Sequence, residues 1–251
     1  MMRKVGKIFS WVGILAWFAV MMGFVSSESE EVLCNRIDVL LKDTVSNRFV
    51  THNEIRSLVE SSGLEIRGYP LSGINTRSLE HLLEENPYIR NAEVSKDVSG
   101  RLEVKVEQRV PLVRILPSGR RGYYLDTEGR LLPLSNDFTP MIMLASGNLP
   151  DKFEEGKMGQ RLAEIYLFCD YLKDHPFWND QVVQIYVNAR GEYELIPRVG
   201  AHHILLGSMD QWETKLRNLE LLYRQGLSSY GWNTYRTINL KYSNQVICTK
   251  R

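Results

Sequence analysis

The chain has 251 residues, 24% of them charged and 43% hydrophobic, with a formal net charge of +1. That composition excludes a collagen-like, disulfide-dense or mostly disordered chain, and the near-zero charge gives no electrostatic case for a nucleic-acid partner. At about 150 residues per domain, the length predicts one or two domains.

The charge is unevenly spread. Residues 8–27 carry none, and Ile8 to Val25 reads IFSWVGILAWFAVMMGFV, interrupted only by Ser10, Gly13 and Gly23. As a helix this run would measure about 27 Å, close to the ~30 Å hydrocarbon core of a bilayer. Arg3, Lys4 and Lys7 precede it, and Glu28, Glu30 and Glu31 follow. The positive-inside rule therefore predicts a cytoplasmic tail over 1–7, a transmembrane anchor over 8–27 and an exported remainder. Without the three leading positive charges the total of +1 becomes −2. A cleaved signal peptide is the rival reading. Its apolar core would be about 7–15 residues and end in small residues, whereas this one is longer and ends in bulky Met21 to Val25, with Ser26-Ser27 beyond.

In the next stretch Ile37, Val39 and Leu41 alternate as a half-buried strand. Thr51 and Glu54 form a capping box ahead of a helix carrying Ile55, Leu58 and Val59, stopped at Gly63. A second helix is predicted over Thr76–Glu85, with Asn75 as N-cap, Ile74 stapled to Leu79, and Pro87 ending it. A strand through Ile89, Ala92 and Val94 turns at Asp97 to Gly100. The strand Arg101–Glu107 then places Leu102, Val104 and Val106 inward and Arg101, Glu103, Lys105 and Glu107 outward. The order β-α-α-β-β predicts a three-stranded sheet with two helices on one face.

Beyond Pro117, Tyr123 to Asp126 and Arg130 to Leu132 flank a turn at Thr127-Glu128-Gly129, a hairpin signal. Asp126 in Asp-x-x-Gly reads as a turn former rather than a catalytic carboxylate. Met141 to Leu144 predicts a buried strand. A helix over 159–173 presents Leu162, Ile165, Phe168, Cys169 and Leu172 on one face. Strands over 182–188, 192–197 and 201–206 follow. Another helix is predicted over Met209–Gln225, capped by Ser208 and ended by Gly226, with Trp212, Leu216, Leu219 and Tyr223 as a core stripe. The chain ends in a hairpin, Thr237–Tyr242 and Gln245–Thr249, turning at Ser243-Asn244.

Chemistry is sparse. No nucleophile elbow, metalloprotease motif, P-loop or dinucleotide fingerprint occurs, so no catalytic residue, metal or cofactor is assigned. His202 and His203 are adjacent in a strand and point to opposite faces, which prevents them from gripping one metal. Cys34, Cys169 and Cys248 are far apart and odd in number, and read as small buried hydrophobes rather than a disulfide framework.

Two tracts and the element order carry a resemblance. Val106-Glu107-Gln108-Arg109-Val110-Pro111-Leu112-Val113 follows the β-α-α-β-β unit. Asn86 to Val94 contains Pro87, Tyr88, Ile89, Ala92 and Val94. With the Asp126/Gly129 hairpin and the terminal Ile238-Asn239-Leu240-Lys241-Tyr242, this resembles the FtsQ/DivIB-type bacterial cell-division proteins. The match departs from the family pattern at Gln108, which separates Glu107 from Arg109, and at Asn239 and Lys241, where the family has Asp and Arg. The resemblance implies an α+β chain: a transmembrane helix, a POTRA domain over 33–115, and a mixed α+β domain over 116–251 with an antiparallel sheet. It implies a non-enzymatic single-pass scaffold of the divisome in the inner membrane, with its bulk in the periplasm. Its partners would be FtsB- and FtsL-type proteins and other divisome components, with no small-molecule substrate, and it would help control septal peptidoglycan synthesis.

Motif residues carried over are Glu107, Arg109, Pro111, Asp126 and Gly129. Partner-binding residues are Ile238, Leu240, Lys241, Tyr242 and Val246, with Tyr242 either an aromatic anchor or packed against its own hairpin. Two other readings stay open. One is a POTRA-containing envelope assembly factor, which would carry a C-terminal barrel and no anchor. The other is an anchored periplasmic enzyme, which would show converging perturbed carboxylates in a pocket.

Overall fold

The computed structural model describes residues 11–22, 32–42, 48–61, 66–150, 158–242 and 245–251. The first described element is a helix over residues 11–22 (α1), exposed along its whole length. At 1.5 Å per residue its twelve described residues span about 18 Å, against the ~30 Å hydrocarbon core of a bilayer. Among the described residues no helix is long and apolar enough to cross a membrane. This overturns the expected anchor, and with it the single-pass inner-membrane topology. Residues 1–10 and 23–27 of that expectation lie outside the described residues, as does the Ser243-Asn244 turn.

The chain divides into two units, Met1–Gln108 and Arg109–Arg251. In the first, β1 (Arg36–Lys42), α2 (His52–Glu60), α3 (Thr76–Glu84), β2 (Ile89–Asp97) and β3 (Arg101–Gln108) follow the β-α-α-β-β order. The strands are ordered β1-β3-β2, with β1 parallel and β2 antiparallel to β3. Local chemistry accounts for the helix starts. Thr51 Oγ1 accepts from the Glu54 amide at 3.3 Å, and Glu54 Oε2 accepts from the Thr51 amide at 2.6 Å. Asn75 Oδ1 accepts from the Ser78 amide, so both first turns have a donor satisfied. Ile55, Val59, Leu79 and Leu83 pack on Ile37, Ala92, Val94, Leu102, Val104 and Val106 to form the core of this unit. The side chains between them on β3 stay in reach of water, as the alternation requires.

The second unit contains β4 (Pro111–Pro117), β5 (Tyr123–Asp126), β6 (Leu131–Leu132), β7 (Met143–Gly147), α4 (Gln160–Asp174), β8 (Val182–Val187), β9 (Tyr193–Pro197), β10 (His203–Gly207), α5 (Trp212–Leu221), β11 (Tyr235–Asn239) and β12 (Ile247–Lys250). They form one nine-stranded sheet, ordered β12-β11-β10-β9-β8-β7-β4-β5-β6. Pro111 to Ile115, expected in the first domain, therefore belong to the second sheet. The sheet is mixed rather than antiparallel, because β4 with β7, β7 with β8, and β10 with β11 run parallel. Parallel neighbours need a crossover, and α4 and α5 supply it between β7 and β8 and between β10 and β11. Leu162, Ile165, Phe168, Cys169 and Leu172 of α4 and Leu216, Leu219 and Tyr223 enter one core with Val113, Ile115, Ile185, Leu195, Ile204 and Ile238.

Two expected boundaries move. Met141 is almost fully exposed and the strand starts at Met143. Ser208 does not cap α5. The buried Lys215 ammonium donates to the carbonyls of Leu206 and Ser208 at 3.0 and 2.7 Å, and the helix starts only after Gln211, at φ 53°. Gly226 does not end that helix either. The chain continues through a wider helical turn over Leu222–Leu227 and stops at Gly231, at φ 93°.

Candidate partner-docking site

Four of the five motif residues, Arg109, Pro111, Asp126 and Gly129, gather around the β5–β6 hairpin. Asp126 Oδ1 accepts from the amides of Glu128 and Arg130 at 2.9 and 2.7 Å, which closes the turn. Gly129 supplies the left-handed backbone there, at φ 75°. The other oxygen, Oδ2, accepts from Arg109 Nη1 at 3.1 Å, and Arg109 also reaches Glu128 Oε2 at 3.1 Å. Arg109 and Asp126 are both buried, and Pro111 pairs opposite Asp126 in the β4–β5 ladder. With both oxygens engaged, Asp126 is a turn former and the anchor of an ion pair. Glu107 stands apart. It belongs to the first unit, where its carboxylate accepts from Arg90 at 2.7 Å.

The expected docking residues divide into two groups. Ile238 and Leu240 are fully buried in the core of the second unit, so their side chains are not available to a partner. Val246 is half-buried against the same core. Lys241 Nζ pairs with Glu192 Oε1 at 2.7 Å, and this contact, with Asn188, holds the Glu192 carboxyl below the usual carboxylate range. Tyr242 is 54% exposed, and Ile247, missed in the sequence, is 41% exposed.

The backbone carries more of the site than the side chains do. Among the described residues β12 ends the sheet, and its one partner there is β11. The Arg251 amide donates to the Thr234 carbonyl, so Tyr235 and Lys250 face each other as a pair without mutual hydrogen bonds. Amides alternate sides along a strand, which aims those of Cys248 and Lys250 at the open edge.

The remaining candidates are structural. His202 is buried, sharing a 2.7 Å hydrogen bond between Nε2 and the Tyr223 hydroxyl, while His203 faces outward. Burial lowers the His202 pKa and raises that of Tyr223. Cys34, Cys169 and Cys248 are free thiols, and burial pushes each of them up. Among the described residues no group of three His, Cys, Asp or Glu side chains is placed to hold a metal.

A small β-α-α-β-β unit followed by a larger mixed sheet with two crossover helices defines the class. A sequence profile described as a POTRA-like domain matches residues 32–107, and one described as FtsQ/DivIB, C-terminal related, matches residues 110–249, more than half the chain. The chain belongs to the FtsQ/DivIB family. It is 24% identical over 223 residues to the cell division protein FtsQ of Rhodothermus marinus, spanning 87% of this chain and 78% of that protein. Membership places it among the cell-division proteins.

Proposed function

We propose that the chain is a non-enzymatic scaffold of the division machinery, and that β12 accepts an added strand from an FtsB-type partner. FtsL-type proteins would join through that partner, and the assembly would regulate septal peptidoglycan synthesis. The observation that carries this reading is the open edge of β12, with outward amides at Cys248 and Lys250 and exposed Tyr242 and Ile247 beside it. Strand addition draws affinity from backbone hydrogen bonds and selectivity from alternate side chains. Tyr242 offers a broad ring with a polar tip at the start of the edge. The FtsQ/DivIB-type second unit favours division over a general envelope assembly factor, because the POTRA-like unit is common to both readings.

The test is capture of the cognate FtsB-type protein by the full chain, its Tyr242→Glu form and its Lys250→Pro form. Proline at 250 removes an amide that β11 does not use, on an edge strand where proline is tolerated. Capture should fall about tenfold in Lys250→Pro, the value of roughly one hydrogen bond at the upper end of its range. Its thermal melting should stay at the wild-type midpoint. Equal capture by all three forms removes the docking edge. No capture by the wild type removes the partner assignment.

A further inference from the structure

β4 and β5 turn their two faces to different surroundings. Val113, Ile115, Tyr123 and Leu125 enter the core with α4, whereas Arg114 and Tyr124, opposite each other in the ladder, lie on the other face. The segment from Pro133 to Thr139, after β6, lies against that second face. Between them is a cavity of about 430 Å³ whose lining includes Arg114, Arg121, Tyr124, Ser135, Asn136 and Thr139. Small-molecule sites span about 300–1,000 Å³, so the space suits a compact ligand.

Its charge is one-sided. Among the described residues, two arginines line the cavity and no carboxylate does. Arg114 Nε is buried and, among the described residues, has no hydrogen-bond partner. A buried orphan donor on a charged group is rare in folded proteins, because desolvation without a partner is unfavourable. The neighbouring side chains extend the donor set. Ser135 Oγ already accepts from the amides of Asp137 and Phe138, which leaves its own proton to donate. Asn136 and Thr139 add an amide and a hydroxyl.

We propose that this cavity binds a small oxyanion, with Arg114 as the bidentate contact and Arg121 and Ser135 supporting it. A guanidinium presents parallel N–H donors at the spacing of two oxygens on one phosphate or carboxylate, and it stays charged at any physiological pH. The shared chemistry is the oxyanion, carried by a phosphorylated or a carboxylated small molecule. The site lies on β4, β5 and the segment after β6, at the opposite end of the sheet from β12, and it departs from the sequence expectation that no small molecule is bound.

The experiment is an amide-resolved NMR titration of the full chain, with inorganic phosphate in one arm and citrate in the other, at fixed ionic strength. Saturating shifts confined to residues 135–139 and the start of β5 are expected. Saturation by phosphate alone assigns a phosphoryl ligand, and saturation by citrate alone assigns a carboxylate. Arg114→Gln should weaken binding about tenfold, and Arg114→Lys, which keeps the charge without the fork, by less. Arg217→Gln, an exposed control on α5, should bind as the wild type. If Arg114→Gln does not melt like the wild type, the exposed Arg121→Gln takes its place and should also lose affinity. Absence of saturation in both arms overturns the proposal, as does wild-type affinity in the folded arginine variants.

Discussion

The two units finish their sheet edges differently. In the first, β2 is an edge strand, and its outward amides at Ala92 and Val94 donate to Glu84 and Glu80 of α3, at 3.3 and 2.8 Å. The unit's own helix occupies the donors another strand would need. In the second, among the described residues, nothing from the chain itself takes up the amides of Cys248 and Lys250 on β12. The far end of that sheet resembles β2 more than β12. There β6 is two residues long, and the turn leading into it is fixed by Arg109, Asp126 and Glu128. An edge closed by the chain's own charges serves stability, and an edge left open serves association.

The largest effect should come from opening the closed end. Arg109→Ala leaves the Asp126 carboxylate buried without its cation, and breaking one side of such a pair costs about 3–5 kcal/mol. The loss should appear as a lower urea midpoint of the second unit. Asp126→Asn, which keeps an oxygen facing the turn amides, should cost less. If Arg109→Ala unfolds at the wild-type midpoint, the pair is not what closes that end.

Next in size is the cover on β2. Glu80→Ala removes a charged acceptor from the Val94 amide, worth about 1–3 kcal/mol where solvent does not replace it. Faster hydrogen exchange at Val94, and not at the β3-paired amides, would show that the side chain seals the edge. Unchanged exchange would mean that packing of α3 alone does so.

What the sequence disclosed follows the range of each interaction. Thr51/Glu54, Asn75/Ser78 and the alternation of β3 involve residues a few positions apart, and all of them are readable from the order of side chains. The face of α4 is readable for the same reason. Asp126 was legible as a turn former, since Gly129 follows closely, but its ion pair with Arg109 spans 17 positions and left no local sign. The start of α5 misled because Lys215 reaches back to the carbonyls of Leu206 and Ser208, which displaces the cap that Ser208 promised. The apolar run near the N-terminus gave a span by composition, while the described helix covers only residues 11–22. The cavity at Arg114 joins a strand to a segment beyond the next hairpin, so no spacing rule could assemble it.

The smallest effect should come from the open end. Lys241 follows β11 and bonds Glu192, near the β8–β9 turn, with both side chains about one-third exposed. Exposed pairs of this kind gain little, because water and salt screen the charges and two long side chains lose freedom. Lys241→Ala should therefore melt within replicate scatter of the wild type, in contrast with Arg109→Ala. The comparison sharpens if partner capture is read in the same variant. Full capture would mean that β12 presents its edge without help from the Glu192 tether. A loss of capture at unchanged stability would make Lys241 part of the docking surface, acting on the partner and not on the fold. A large drop in stability would end the contrast between the two ends, since both would then be held by charge.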